Sequence, residues 1–280
     1  MMTKFTDVLT SGDSLISTVQ VREYFKVFPN MISRRWILTT ILVIAAMAVM
    51  IRLGIWQLDR LEKRRLFNSR VLSQTSQPVL NLNTWSGEDD LSGMEYRQIS
   101  VIGEYNHSEE IALRNQHWGN QSGVHLITPL QISGSERTVL VDRGWIPADD
   151  FKSGDWSAFT EGGEVKVDGI IRPSISKADF GSKSDQFSGS IENPIKAWNF
   201  ITVERIQEQV PNPLVPIYIQ QSPDPAWSNL PHRSKPKLEI TEGPHMGYAI
   251  QWFTFAAILG LGYPIFIRRQ SQKATEQDSE

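Results

Sequence analysis

Histidine supplies most of the ligand chemistry open to this chain. There are five, His107, His117, His125, His232 and His245, and no cysteine. The missing thiols remove disulfides, thiolate zinc, Cys-x-x-Cys redox work, covalent c-type haem attachment and the paired sulfurs that hold Cu(I). Any metal or cofactor has to be held by His, Met, carboxylate or backbone groups. No His-x-x-x-His or His-Glu-x-x-His pair occurs, so a protease-type zinc site has no support. A hydrolase lacks its signature too, because no Gly-x-Ser-x-Gly elbow is there to raise a nucleophile. With a net charge of -3 and no basic run between residues 70 and 240, nucleic acid is excluded as a partner.

His245 has the most informative setting. In Glu242-Gly243-Pro244-His245-Met246-Gly247-Tyr248, Pro244 suits the first turn of a helix. His245, Tyr248, Ala249 and Trp252 then share one helical face. An imidazole at such a helix start can cap backbone amides or meet a lipid phosphate. Far upstream the chain reads Leu53-Gly54-Ile55-Trp56-Gln57-Leu58-Asp59-Arg60. Gly54 permits close approach of a second helix, Trp56 suits the headgroup level, and Gln57 can hydrogen-bond across. Gly54, Trp56 and Gln57 are therefore read as a helix-helix junction.

Two apolar segments must position these groups. Residues 248–267 carry no charge and end at Arg268 and Arg269, as a bilayer-spanning helix does. Residues 36–51 follow Arg34 and Arg35, and 53–58 extend the same helix through the interface while Arg52 snorkels outward. The rival for this first segment is a cleaved signal, for which Arg34-Arg35 and Ala46-Met47-Ala48 are the cues; the apolar run continues past that site and argues against it. Arg34, Arg35, Arg268 and Arg269 place both termini in the cytoplasm by the positive-inside rule. Arg60, Lys63, Arg64, Arg65 and Arg70 compete, but Glu239 and Glu242 at the near end of the second segment favour the first orientation.

The expected organisation is a cytoplasmic tail (1–33), a first transmembrane helix (34–58), an extracytoplasmic domain (59–241), a second transmembrane helix with its entry turn (242–267) and a cytoplasmic tail (268–280). Alternation of Ile99, Val101, Gly103 and Tyr105 with Gln98, Ser100, Ile102 and Glu104 predicts a strand, with Gly103 as a candidate bulge. Further strands are predicted at 110–113, 123–130, 137–142, 164–171 and 215–220, with Ser133-Gly134-Ser135 as a tight hairpin. A helix is predicted over 202–210, capped by Thr202 and stopped by Pro211. Residues 180–193 read as a loop, and 21–28 as either an amphipathic turn or plain tail. The fold class is two transmembrane helices flanking one α+β domain, mainly antiparallel β.

The junctions and several blocks of the central domain together resemble the Surf1 family, in its bacterial type. The blocks are 53–60, Tyr96-Arg97 with Gly103-Glu104-Tyr105, 123–130 with Thr128-Pro129-Leu130, Arg143-Gly144-Trp145-Ile146-Pro147, and His245 with Tyr248-Ala249-Ile250-Gln251-Trp252. They occur in the family's order and span most of residues 36–269. The resemblance implies a non-enzymatic assembly factor for haem-copper cytochrome c oxidase, set in the plasma membrane. Its partners would be the haem-bearing subunit, other assembly factors and the bilayer. It also implies non-covalent binding or hand-over of haem a. His245 would then ligate the haem iron, Tyr248 and Trp252 would cover the macrocycle, and Arg60 or Arg143 would meet the propionates. Two readings stay beside it: a cofactor-free membrane adaptor that holds a partner subunit, and for Arg143-Gly144-Trp145 simple closure of a strand.

Overall fold

The computed structural model describes residues 31–175, 190–236 and 238–277. The readings for residues 1–30, including the turn at 21–28, and most of the 180–193 loop lie outside them. The main elements follow as α1 (Ile37–Thr75), β1 (Leu80–Asn81), β2 (Gln98–Tyr105), β3 (Ile111–Trp118), β4 (Gln121–Ile132), β5 (Thr138–Pro147), α2 (Ala148–Ser153), β6 (Glu164–Pro173), β7 (Ala197–Trp198), α3 (Val203–Ile206), β8 (Leu214–Gln221) and α4 (His245–Gln277). The chain divides into a helical unit, Met1–Leu66 with Thr241–Glu280, and a β unit, Phe67–Ile240.

Both α1 and α4 are long and apolar enough to cross a membrane. The apolar run of α1 ends near Leu58, but the helix does not. Residues 59–75 are mostly Leu, Glu, Lys, Arg and other residues that tolerate helix, and no glycine or proline interrupts them before Pro78. Within the helical unit α1 and α4 run antiparallel and meet at several levels between Trp36 and Gln57. The Trp36 and Phe266 rings meet edge to face at 5.9 Å, and Thr40 Oγ1 lies 2.7 Å from the Tyr263 hydroxyl. A Cβ on Gly260 would sit 2.8 Å from Met47 Cε, and one on Gly54 would sit 2.7 Å from Phe253 Cζ. At the far end Arg65 grips both carboxylate oxygens of Glu242, at 2.8 and 2.9 Å. Missing side chains thus let the helices approach, and hydrogen bonds fix their register.

In the β unit the sheet order β1-β2-β6-β8-β5-β4-β3-β7 is closed by a further pairing of β2 with β4. The ring β2-β6-β8-β5-β4 is a barrel, antiparallel except between β5 and β8. Its interior is filled by the inward faces of these strands, with Val101, Val139, Val141, Val167, Ile171 and Ile217 fully excluded from solvent. Outside the ring, α3 and β7 cover Ile127 and Leu140 with Trp198, Val203 and Ile206. Strand β5 is consequently buried on both faces, which is why it reads Thr-Val-Leu-Val rather than alternating.

Three local expectations change. Gly103 is not a bulge: the β2 ladder runs unbroken through it, opposite Val165 on one side and Ile132 on the other. A Cβ there would strike the Gln131 carbonyl oxygen, so glycine is needed where the barrel closes. The bulge falls instead in β5, where Leu126 pairs with Gly144 and Ile127 with Asp142, leaving Arg143 as the extra residue. The predicted helix is cut to Val203–Ile206 with a single 3-10 turn after it. Its cap comes from elsewhere: Ser174 Oγ accepts from Val203 N at 3.0 Å, while the Thr202 hydroxyl donates to Ile175 O at 2.9 Å. A contact from a distant strand end has replaced the local one.

Candidate functional site

The junction residues meet inside the helical unit. Pro244 O accepts the first helical bond of α4, from Tyr248 N at 3.1 Å, so His245 opens the helix. Its Nδ1 lies 2.9 Å from Oε1 of Gln57 on α1. Gln57 is only 9% exposed, so water does not compete freely for that oxygen. A carboxamide oxygen can only accept, and Nδ1 therefore carries the proton. In the neutral ring this leaves the lone pair on Nε2, which has no hydrogen-bond partner among the described residues. Gly243, at φ +67, precedes the helix; a Cβ there would lie 3.6 Å from Nε2. A side chain there would start in contact with the Cδ2–Nε2 edge of the ring. One turn further into α4, Ala249 is buried while Tyr248 is 48% exposed. Trp252 is half-buried and meets Phe255 edge to face at 6.3 Å. On α1, Trp56 is exposed and the Arg60 guanidinium lies over its ring at 5.6 Å. His245, Gln57, Gly54, Trp56, Arg60, Tyr248 and Trp252 all belong to this one unit.

Arg143 does not. It lies in the β unit with a fully buried side chain, at the β5 bulge and two residues on from the inward-facing Val141. Nη1 donates to Glu110 Oε2 at 2.8 Å, and Nε and Nη2 donate to Glu161 Oε1 at 3.2 and 2.9 Å. Nη2 also donates to the Phe159 carbonyl, and the guanidinium lies 5.0 Å from the Tyr105 ring centroid. Arg233 Nη2 reaches the same Glu161 oxygen at 3.0 Å. Glu110 Oε2 further accepts from Thr128 Oγ1 and faces His107 Nδ1 at 3.4 Å. Burial pushes the Glu110 carboxyl up, but the bonds from His107 and Thr128 and the charge of Arg143 outweigh it and hold the group below the usual carboxylate range. Burial also pushes the Tyr105 phenol far up. Two arginines and two glutamates neutralise one another in the barrel wall, and Arg143 is a structural ion-pair partner in it. Sequence reading missed this network because its members are scattered from residue 107 to 233 with no local spacing. The signal available was the glycine after Arg143: at φ +124 it marks a bulge, and a Cβ there would strike the His232 carbonyl.

A second buried pair sits on the barrel wall, where His125 Nδ1 faces both oxygens of Asp142 at 2.9 Å. Burial disfavours the charged ring, but the Asp142 carboxylate prevails and raises the His125 pKa. His117 lies exposed on β3, and His232 clusters with Trp118 and Trp145, at 4.8 and 6.0 Å, the two tryptophan rings being 6.3 Å apart. No group of three or more potential metal-ligating His, Asp or Glu residues occurs among the described residues. A metal held here would rest on a single imidazole and on whatever else the incoming group brings.

The family model of the SURF1 family matches residues 44–257, from the third turn of α1 through the whole barrel to the first turns of α4. This chain belongs to the SURF1 family. Among its SURF1 relatives, a SURF1-like protein of Rickettsia conorii is 25% identical over 240 residues, covering 82% of this chain and 92% of the relative. One from Caenorhabditis briggsae is 21% identical over 242 residues, covering 80% and 73%. Surfeit locus protein 1 of Takifugu rubripes is 25% identical over 150 residues, 48% of this chain and 61% of the relative. The SURF1 match takes in both helix junctions and the barrel, so the His245 site and the Arg143 network both fall within the family region.

Proposed function

We propose that this SURF1-family chain is a membrane assembly factor for haem-copper cytochrome c oxidase that holds haem a non-covalently and passes it to the haem-bearing subunit. The observation that carries the reading is His245, a half-buried imidazole at a helix start with Nδ1 engaged and Nε2 open. A neutral imidazole nitrogen in that state is a competent axial ligand for haem iron. Tyr248 and Trp252 would cover the macrocycle, and Arg60, already drawn over Trp56, would meet a propionate. The haem supplies the iron to be ligated and the colour; the chain supplies one ligand, an apolar cover and a cation. In this reading the protein is not an enzyme, lies in the plasma membrane with both termini cytoplasmic, and keeps the barrel outside among other assembly factors.

A cofactor-free adaptor remains the second reading. It draws on an apolar groove of about 450 Å³ on the helical unit, lined by Met50, Phe255, Ile258 and Phe266 among others, of the kind a partner's transmembrane helix fills. Absorption spectra separate the two. Full-length protein purified from cells that make haem a should carry a haem spectrum that His245→Ala abolishes and His117→Ala leaves intact. A colourless wild-type protein that still restores oxidase assembly would reject haem binding and leave the adaptor.

A further inference from the structure

We infer that Gln57 is the positioning residue for His245, selecting the imidazole tautomer that leaves Nε2 as the ligand atom, while Gly243 keeps that atom accessible. The inference rests on the reading of His245 as an iron ligand. A histidine unattached to anything interconverts between its two neutral forms, and the one that predominates at a site is decided by what the other nitrogen bonds. Here Nδ1 meets an acceptor at 2.9 Å, on a carboxamide that is almost wholly buried. The two groups belong to different helices, so their meeting depends on helix register rather than on a flexible side chain. That register is fixed on both sides of the pair. Gly54 receives the Phe253 ring about one turn inward, and Arg65 clasps Glu242 beyond it.

The chemical identity of the acceptor matters as much as its position. A carboxylate at residue 57 would draw the Nδ1 proton toward itself and make Nε2 a stronger donor. The neutral carboxamide orients the ring with little added basicity, which suits a ligand that has to release its metal group as well as hold it. Gly243 completes the device from the other side. Its φ of +67 is a backbone conformation that side-chain-bearing residues rarely adopt, and a Cβ there would already rest against the Cδ2–Nε2 edge of the ring, at 3.5 and 3.6 Å.

The test uses the full-length chain in lipid nanodiscs with 15N-labelled histidine, the His245 resonances being assigned by difference against His245→Ala. Before haem is added, the ring nitrogens of wild type and Gln57→Glu should report an Nδ1–H tautomer, and Gln57→Leu should lose it. With haem a as the probe, Gln57→Leu should bind on the order of tenfold to 100-fold more weakly, as loss of an outer-sphere partner does. Gln57→Glu should restore binding with a shifted spectrum. Gly243→Asn, which tolerates the backbone but adds a side chain, should lower binding while leaving the tautomer unchanged. An Nε2–H tautomer in the wild type, or a tautomer and spectrum indifferent to Gln57→Leu, overturns the inference. A Gln57-dependent tautomer in a protein that never takes up haem upholds the positioning role and instead rejects the haem reading.

Discussion

Arg143 can be carried into the barrel wall only because two carboxylates meet it there. Glu110 and Glu161 lie on separate loops, and the guanidinium bonds both as well as the Phe159 carbonyl. Arg143→Leu keeps the volume but leaves two partly buried carboxylates with too few cations. The expected cost is about 3–5 kcal/mol, the usual penalty for breaking a buried pair from one side. Denaturant unfolding of the full-length protein in detergent, followed by tryptophan fluorescence, measures it. The pH dependence identifies the cause. The Glu110 carboxyl is depressed in the folded protein, so its stabilisation is present above the unfolded value of about 4.3 and lost as pH falls through the folded value. His125 acts in the opposite sense. Its pKa is raised, so its contribution is full below about 6.5 and fades as pH rises through the folded value. The gap between wild type and Arg143→Leu should therefore narrow on acidification, since protonating Glu110 removes the very charge left unpaired. A gap that stays constant from pH 7 to the acid limb would show that lost packing, not charge, sets the cost.

At the scale of elements, glycine decides where backbones approach. Gly54 and Gly260 leave room on the two helices for Phe253 and Met47. Gly103 leaves room for the Gln131 carbonyl where β2 meets β4. Gly54→Leu should push the Phe253 ring aside, pull His245 from Gln57 and weaken any function that depends on the pair, while the barrel stays folded. Phe253→Ala in the same chain should recover much of the loss, because it vacates the space the leucine needs. Cysteines at Ile55 or Gln57 and at Met246 or Ala249 provide the readout. At least one pairing should crosslink in the wild-type background and fail in Gly54→Leu. Undiminished crosslinking in that variant would mean that close approach at Gly54 does not govern the helix pair. The role of Gly54 could be anticipated from its place in an apolar run beside Trp56. That of Gly103 could not, because a glycine within an alternating strand signals bulge and close approach alike.

In chain order, one long helix precedes the closed barrel and one follows it, and within their own unit the two helices pair antiparallel. If each helix crosses the bilayer, both tails must return to one side. Reporters at the two termini should give the same compartment signal, and one in the Ser133-Gly134-Ser135 hairpin the opposite. An identical signal from all three would overturn the two-span arrangement. Much of this frame was written locally. Apolar runs of membrane length, a period-two pattern at Ile99, Val101 and Tyr105, and blocks resembling the Surf1 family specify two helices, a strand-rich domain and the family without reference to distant contacts. Such patterns report which face of an element is buried, not what it is buried against. Closure of the barrel through Gly103, the inward turn of Arg143 onto Glu110 and Glu161, and the pairing of His245 with a glutamine 188 positions away were decided by the tertiary structure alone. Each depends on where two remote segments come to rest, and that is set by the packing free energy of the whole chain rather than by the spacing of neighbouring residues.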